Sequence, residues 1–308
     1  MYCYSTKLQS MKDMDWKTEL KGPHRDEVIE AYEAELDSLL NTILTPIPKG
    51  NPLRAEAERL ATMGRALLDC KRSGKWKARI VKQGFKEDKE AMDGPDFNYY
   101  ANVCELQSVR ALTLRPNRRD RRLCQVDVST AFLQSNSYGP NEPPKYLKFR
   151  SPVNGELLYY KQSGPIYGEA SAPKRWEETI VPWLTSKSQG FVRGTSDKCV
   201  FHNSKTGVTL LLYVDDLLID GDEDQVQAFL NAINGRFHCK PAEWLASENP
   251  IDHLGMNLMM DENRIYISMA SYIDKILDAL DAQDIEPQTL PIKEHITDDE
   301  EVGPSTAN

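Results

Sequence analysis

Residues 208–220 constrain the fold of this chain more than any other stretch, because an acidic pair interrupts a strongly apolar segment. The segment is Val-Thr-Leu-Leu-Leu-Tyr-Val-Asp-Asp-Leu-Leu-Ile-Asp, with Asp215 and Asp216 between two apolar, β-rich runs. Such runs on both sides of a polar pair predict a hairpin in a buried sheet. Burying two unpaired carboxylates is costly, so they lie at the tip of the turn or face a cation. On this stretch alone, an ordinary turn with solvated acids is an equal alternative.

A further acid interrupts a buried β run far away in the sequence. Asp127 lies within residues 123–133, Leu-Cys-Gln-Val-Asp-Val-Ser-Thr-Ala-Phe-Leu, which predict a buried strand entering a helix. A lone acid there is paired with a base or ligates a metal, and no basic residue lies in this segment. Adjacent strands would bring Asp127 to Asp215 and Asp216, and three such carboxylates suit a pair of hard cations. Cyclases, polymerases and some nucleases all satisfy this arrangement.

The distribution of charge is more informative than its total. The net charge is −9 over 308 residues, which taken whole argues against a nucleic-acid binder. Residues 71–122, however, hold 14 basic and 7 acidic side chains and net +7, whereas residues 283–308 net −6. A basic segment and an acidic tail therefore share one chain, and the total hides both.

The basic segment begins with a predicted β-hairpin over residues 71–86, which turns at Ser73-Gly74. Lys75, Lys77 and Arg79 alternate there with apolar residues, so the cations lie on one face of the strand. Such a face is either simply solvated or binds anions. The density of cations on one short hairpin favours anion or phosphate binding.

Hydrophobic periodicity predicts both helices and strands along the chain. Strands are predicted near 146–149 and 157–160, and a second hairpin is predicted over 254–268 with its turn at 261–263. Helical spacing and capping residues predict helices from Asp26 to about Ile43, from Asn51 to about Leu68, over 105–114, from Pro173 towards Gly190, over 222–235 and over 272–280.

The six cysteines, at positions 3, 70, 104, 124, 199 and 239, form no C-x-x-C pair and have no regular spacing. This pattern argues against a zinc ribbon or disulfide framework and for a reducing compartment. The N-terminus lacks the apolar core of a signal peptide, and no apolar run approaches the length of a membrane span. We therefore expect an intracellular protein, cytoplasmic or nuclear, that is not secreted and has no membrane partner.

The order of the motifs resembles the reverse transcriptase domain of copia-type LTR retrotransposons, from about Glu30 to Leu280. The Tyr-Val-Asp-Asp core alone is a weak signal, but seven motifs in the family's order are a strong one. These are the fingers motif 75–85, the first catalytic motif 125–133, the tyrosine-glycine and proline-tryptophan segment 166–176, the strand pair 190–201, the catalytic hairpin 212–219, the primer-gripping segment 253–256 and the start of the thumb 272–277.

The resemblance implies an α+β, right-hand polymerase fold with fingers, an antiparallel palm sheet with helices packed on it, and a partial thumb. It implies an RNA-directed DNA polymerase that extends a primer 3′ end with dNTPs on an RNA or DNA template. The implied cofactors are two Mg²⁺ ions, with Mn²⁺ as a substitute, and other retroelement Pol domains are implied partners. We expect an irregular segment 1–25, a reverse transcriptase domain 26–280 and an acidic, disordered tail 281–308.

The resemblance also assigns the catalytic and metal-binding residues. Asp127, Asp215 and Asp216 are implied to hold the metals, with the Val128 backbone carbonyl as a further ligand. These three carboxylates are therefore the predicted catalytic residues.

The same resemblance implies a nucleotide and primer environment. Lys77 and Arg79 would contact the incoming triphosphate, and Tyr213 would shape the floor under the primer end. Phe132 falls at the family's steric-gate position, where a bulky ring excludes a ribose 2′-hydroxyl. A plain core aromatic is an equal alternative for Phe132.

One departure from the family bears on activity. The family usually has Leu-Lys-Gln where this chain has Glu169-Ala170-Ser171. The glutamine normally lies by the nucleotide and template, so Ser171 is assigned to that environment with reduced efficiency or fidelity. One alternative is therefore a degenerate, catalytically weak or inactive retroelement copy that retains the fold, with or without nucleic-acid binding. A different palm-type nucleotidyl transferase is a second alternative, disfavoured by the motif order.

Overall fold

The computed structural model of the protein describes residues 14–71, 74–114, 121–261 and 264–282. Its helices are α1 Trp16–Glu19, α2 Arg25–Leu40, α3 Arg54–Leu60, α4 Lys89–Asp93, α5 Leu106–Thr113, α6 Ala172–Leu184, α7 Glu223–Asn234 and α8 Ala270–Ala279, with short 3₁₀ helices at Gly84–Lys86 and Ala131–Gln134. Its strands are β1 Leu44–Pro46, β2 Thr62–Cys70, β3 Trp76–Lys82, β4 Arg121–Asp127, β5 Lys145–Arg150, β6 Leu157–Gln162, β7 Val192–Arg193, β8 Val200–His202, β9 Thr209–Tyr213, β10 Asp216–Asp222, β11 Glu243–Trp244, β12 Ile251–His253, β13 Met256–Asp261 and β14 Arg264–Ser268.

The first sheet, which we call the fingers sheet, has the strand order β1-β6-β5-β2-β3. All its neighbours are antiparallel except β2 and β5. The amphipathic helix α2 packs on this sheet because its apolar stripe, including Tyr32 and Leu39, is buried against Ile80, Leu147 and Phe149. The helix predicted from Asp26 is therefore confirmed.

The helix predicted from Asn51 to Leu68 is wrong beyond Leu60, because residues 62–70 form β2. Alanine, leucine, methionine and arginine are good helix formers, so the local sequence favours a helix. Pairing with β3 on one side and β5 on the other outweighs that preference. The basic hairpin therefore consists of β2 and β3, and it does not lie within residues 71–86 as predicted.

The second sheet, the palm sheet, has the order β11-β4-β10-β9-β8-β7. Leu210, Leu212 and Leu217 face one core together with α6 and α7, whereas Leu211 and Leu218 face a second core with α5 and β12–β13. Because both faces are covered, the central residues 210–212 of β9 and 217–219 of β10 are all apolar instead of alternating with polar ones. The predicted helices α5, α6 and α7 are all present, although α6 ends at Leu184 and its C-cap is Thr185, not Gly190.

The third sheet has the order β12-β13-β14, and helix α8 contacts its central strand β13. The predicted hairpin over 254–268 is formed by β13 and β14, and its turn residues 262–263 lie outside the described residues. Most of the predicted acidic tail, residues 283–308, and residues 115–120 of the basic segment also lie outside them. No helix in the described ranges is long and apolar enough to cross a membrane.

The expectation of an irregular segment 1–25 is corrected for its described part. Trp16–Glu19 form one helical turn, capped by the Asp15 side chain. The Trp16 indole Nε1 donates to Ala66 O at 3.0 Å, and Met14 N donates to Leu68 O at 3.0 Å. These bonds fix the described part of the segment to β2.

Candidate active site

The three predicted acids meet at one edge of the palm sheet. Asp127 ends β4 and lies directly opposite Asp216 of β10 in the antiparallel ladder, and such opposed residues have Cβ atoms about 4.5–5.5 Å apart. Asp215 lies in the two-residue turn between Tyr213 and Asp216. Its backbone carbonyl accepts a hydrogen bond from Val128 N at 2.7 Å. The predicted hairpin, and its position beside the Asp127 strand, are therefore present.

Two β-branched residues in left-handed conformation flank these acids. Val214 has φ +56° in the hairpin turn, and Thr130 has φ +49° after β4. A β-branched residue with positive φ is a genuine outlier, and such strain costs of the order of 1–3 kcal/mol per residue. The Val214 carbonyl accepts a hydrogen bond from the Trp176 indole Nε1 at 2.5 Å, which helps to hold the turn.

A cavity of about 440 Å³, which we call the acid–base cavity, opens beside the turn. Asp127 and Asp215 line it, whereas Asp216 is buried, at 7% exposure, and is not among the lining residues. The lining combines carboxylates with four cationic side chains and is formed by Asp69, Lys71, Lys77, Arg79, Asp127, Ser129, Thr130, Tyr167, Asp215 and Lys240. The structure thus joins the predicted acids to the predicted basic hairpin.

Sequence reasoning missed Lys240, which supplies a base to Asp127. The Lys240 Nζ lies 3.0 Å from Asp127 Oδ1, and Lys240 N donates to the Asp127 carbonyl at 2.9 Å. Lys240 is brought there by an isolated bridge between Val128 and Cys239, for which we find no local sequence signal. Strand β4 begins at Arg121, earlier than predicted, so the strand does contain basic residues. Arg121, however, pairs with Asp220 at the end of β4 away from Asp127.

Some of the side chains that line the cavity could bind a divalent cation, and others could not. Asp127 and Asp215 present the hard oxygen ligands that Mg²⁺ prefers. Among the described residues, however, no three His, Cys, Asp or Glu side chains are grouped closely enough to hold a metal ion. Lys240 pairs with Asp127 where a cation would bind, and Val128 is fully buried. The assignments of Asp216 and of the Val128 carbonyl as ligands stay predictions.

Lys77 and Arg79 both project from β3 into the acid–base cavity. Burial, together with repulsion from Arg79 and Lys71, lowers the pKa of Lys77 to about 8. The Arg79 guanidinium carbon lies 5.2 Å from the centre of the Tyr167 ring, a cation–π distance. Both predicted triphosphate contacts are therefore positioned beside the acids.

Phe132 and Tyr213 lie next to the cavity without lining it. The Phe132 ring contacts the Tyr167 ring edge-on, with 5.7 Å between ring centres, and Phe132 also packs against the palm core. Its placement therefore suits both the gate and the core alternative. Tyr213 is half-buried at the end of β9, opposite Asp216.

Ser171 lies away from the acid–base cavity, so its assignment to the nucleotide environment stays a prediction that the cavity lining does not support. Its side chain is fully buried and is absent from the cavity lining. The Ser171 hydroxyl donates to Glu169 Oε1 at 2.9 Å and accepts from Arg175 Nε at 3.2 Å. The short serine side chain therefore links Glu169 to Arg175 behind the cavity.

The junction behind the cavity is a buried ion network centred on Glu169. Lys82 and Lys145 each place Nζ 3.5 Å from a Glu169 oxygen, and Tyr138 donates to the same carboxylate at 2.7 Å. Burial raises the pKa of Glu169, but these partners outweigh it and hold the pKa below its ordinary value. The network is completed by Glu87, Asp93, Glu142 and Arg175.

Gly84, just after β3, and Gly168, in the loop before α6, allow the backbones of these two segments to lie in direct contact. A Cβ on Gly84 would lie 2.3 Å from Gly168 O, and one on Gly168 would lie 2.2 Å from Lys82 O. Gly168 also has φ +80°, which L side chains rarely adopt. Gly84 N donates to Gly168 O at 3.0 Å. The glycines of the fingers and tyrosine-glycine motifs therefore join the two elements.

Several known proteins are similar to this chain. The Pol polyprotein from transposon TNT 1-94 of Nicotiana tabacum is 27% identical over 94% of the chain and 22% of its own length. The Ty1-NL2 Gag-Pol polyprotein of Saccharomyces cerevisiae is 26% identical over 78% of the chain and 13% of its own length. The chain thus spans less than a quarter of these retrotransposon polyproteins.

Among solved structures, the telomerase of Candida albicans, in complex with a telomeric RNA fragment, has a TM-score of 0.45. It is 10% identical and covers 78% of this chain and 51% of its own. A foamy viral protease-reverse transcriptase in complex with double-stranded DNA has a TM-score of 0.43. It is 14% identical and covers 85% of this chain and 38% of its own.

Residues 65–294 match the family model described as reverse transcriptase (RNA-dependent DNA polymerase). This match and the retrotransposon relatives confirm the predicted resemblance to copia-type reverse transcriptases. With the antiparallel palm sheet and its packed helices, the match also confirms the predicted α+β polymerase fold. The chain therefore belongs to the reverse transcriptase family of RNA-dependent DNA polymerases.

Proposed function

We propose that the acid–base cavity carries out template-directed nucleotidyl transfer, extending a primer 3′ end with dNTPs on an RNA or DNA template. The observation that carries the proposal is that Asp127 and Asp215 share one cavity with Lys77 and Arg79. Carboxylates hold divalent cations, and Lys and Arg side chains bind phosphates. A nucleotidyl transferase needs both sets of groups around one nucleotide.

Asp127 and Asp215, with Asp216 and the Val128 carbonyl adjoining, would hold two Mg²⁺ ions, or Mn²⁺ in their place. Bound there, the ions would activate the primer hydroxyl and stabilise the departing pyrophosphate. The Lys240 ammonium pairs with the Asp127 carboxylate. Because a cation at Asp127 would repel the Lys240 ammonium, we expect this exposed side chain to swing away on metal binding.

Other residues in the cavity and beside it would orient the nucleotide. Lys77 and Arg79 would hold the triphosphate, and the Tyr167 ring fixes the Arg79 guanidinium. Phe132 contacts the Tyr167 ring edge-on and would stand against the 2′ position of the sugar. Tyr213 would support the primer end beside the turn. The boundaries 26–280 and an association with other retroelement Pol domains stay predictions.

Primer extension by the full chain tests the proposal. On oligo(dT)/poly(rA) with Mg²⁺ or Mn²⁺, we expect extension by the parent protein. Asp215→Asn removes a cavity carboxylate at nearly constant volume, so we expect a loss of about a hundredfold or more, as for other preorganised charges at reacting centres. A well-folded parent that binds primer–template but extends nothing would contradict the proposal and favour the degenerate copy.

A further inference from the structure

Val214 occupies the most demanding backbone position of the catalytic hairpin. It is the first residue of a two-residue turn and has φ +56°. Turns of this kind favour glycine or asparagine at a positive φ, whereas valine is β-branched. Any relaxation of Val214 would rotate the next residue, Asp215, whose carboxylate lines the acid–base cavity.

Two hydrogen bonds hold this turn from opposite sides. Val128 N donates to the Asp215 carbonyl at 2.7 Å, within the palm sheet. The Trp176 indole Nε1 donates to the Val214 carbonyl at 2.5 Å, from α6. The indole has one N–H donor and no acceptor, so the bond to Val214 uses the only hydrogen-bonding group of the Trp176 side chain.

Trp176 is itself immobilised. Its side chain is 1% exposed, and its ring lies edge-on to Phe237 with 5.2 Å between ring centres. The preceding residue, Arg175, pairs with Asp93 at 2.8 Å and anchors the start of α6 in the ion network. The indole is therefore a fixed donor.

We propose that Trp176 is a positioning residue of the polymerase, whose indole N–H holds Val214 in its left-handed conformation and so aims Asp215 into the cavity. The inference deepens the proposed function and rests on it. Trp176 touches neither the cavity nor the reacting atoms, so it acts through the turn. The sequence motif containing Trp176 thereby acquires a role beyond packing.

The variant Trp176→Phe separates the hydrogen bond from the packing, because it keeps an aromatic ring and removes the N–H. Trp183→Phe is the matched control. Trp183 lies on the same helix and also packs on Phe237, with 5.4 Å between ring centres, but it makes no hydrogen bond to the turn. The rescue variant combines Trp176→Phe with Val214→Asn, since asparagine tolerates positive φ far better than valine.

Two measurements on the full chain test the proposal: Mn²⁺ binding followed by electron paramagnetic resonance, and the Mg²⁺ concentration for half-maximal primer extension. We expect Trp176→Phe to weaken both about tenfold, which corresponds to about 1.4 kcal/mol, while Trp183→Phe stays close to the parent. Val214→Asn should restore most of the loss in the double variant. Thermal unfolding of each variant reports any general loss of stability.

Equal metal dependence of Trp176→Phe and Trp183→Phe at similar melting temperatures would overturn the proposal. Failure of Val214→Asn to restore metal binding would overturn it as well. Mn²⁺ binding is measured without primer or dNTP. If the parent extends no primer, the proposed function fails on its own, while the Mn²⁺ titration still decides whether Trp176 positions Asp215.

Discussion

Lys77 lies between two cavities of different character. It lines the acid–base cavity and also a cavity of about 460 Å³ between α2 and β3, whose other wall carries Glu27, Glu30 and Glu35. Burial and three neighbouring cations, Arg79, Lys71 and Lys240, lower the pKa of Lys77 to about 8, and Glu35 offsets this only in part. A lysine with such a pKa changes its charge close to neutral pH.

This pKa predicts a pH dependence of nucleotide capture. Below about pH 8 Lys77 is an ammonium that attracts the triphosphate, and above it the neutral amine attracts the triphosphate less. We expect kcat/KM for dNTP to fall as pH rises through about 8, because this ratio reports pKa values of the free enzyme. Steady-state primer extension between pH 6.5 and 9.5 measures it.

The control is Lys77→Arg, which stays protonated over this whole range because an arginine side chain has a pKa above 12. Its profile should lose the decline near pH 8. An identical decline in the parent and in Lys77→Arg would assign the titration to another group and contradict the prediction.

At the level of elements, α6 connects the fingers sheet to the catalytic hairpin. Its first turn is held by the ion network, and its middle carries Trp176. Asp93 of α4 pairs with Arg175 and with the fully buried Lys145 of β5. Burial raises the pKa of Asp93, but the hydrogen bonds from Lys145 and Arg175 outweigh it and lower the pKa.

Removing one partner of this buried network should be strongly destabilising. Asp93→Asn leaves the Lys145 ammonium without its nearest carboxylate, and breaking buried pairs in this way costs about 3–5 kcal/mol. We expect a loss of this size in the free energy of unfolding, measured with urea at pH 7. The double variant Asp93→Asn with Lys145→Met should recover part of it, since the ammonium that lost its nearest carboxylate is gone.

Glu58→Gln provides the comparison for an exposed pair. Glu58 pairs with Arg54 at 2.7 Å on α3, and its side chain is 53% exposed. Such surface pairs contribute about 0–1 kcal/mol, so this variant should unfold like the parent. A similarly small effect of Asp93→Asn would show that the network contributes little to stability.

For the whole molecule, local charge decides more than total charge. The chain nets −9, yet four cationic side chains line the acid–base cavity. A net acidic protein can still bind a polyanion when its cations converge on the binding face. If the proposed function is right, the affinity of the chain for primer–template should fall as the salt concentration rises, as it does for a basic protein.

We expect the logarithm of the primer–template association constant to fall linearly with the logarithm of salt concentration, with a slope of about −0.9 for each phosphate neutralised. Lys71→Gln should make this slope shallower by about one unit, because Lys71 is exposed at the rim of the cavity. Lys205→Gln, on the loop between β8 and β9, should leave it unchanged. Fluorescence anisotropy measures both, and equal slopes for the two variants would contradict the prediction.

Residues with strong local patterns were predicted correctly. The apolar runs around Asp215 predicted β9 and β10, and helical spacing predicted α2, α5 and α7. Residues 62–68 were predicted wrongly as helix because their composition suits a helix, whereas pairing with β3 and with the distant β5 holds them in a strand. For Ser171, the resemblance fixes the position in the chain but not the direction of the side chain, which points to Glu169.

The sequence by itself determined the family, the catalytic hairpin and the identity of its acids, since these depend on short motifs and on their order. Only the tertiary structure decided which groups meet those acids. Lys240 reaches Asp127 through a bridge between distant segments, and Trp176 reaches Val214 across the palm core. These contacts join residues 113 and 38 positions apart. Local sequence carries no signal for them, because packing of the palm core, not local conformational preference, brings them together.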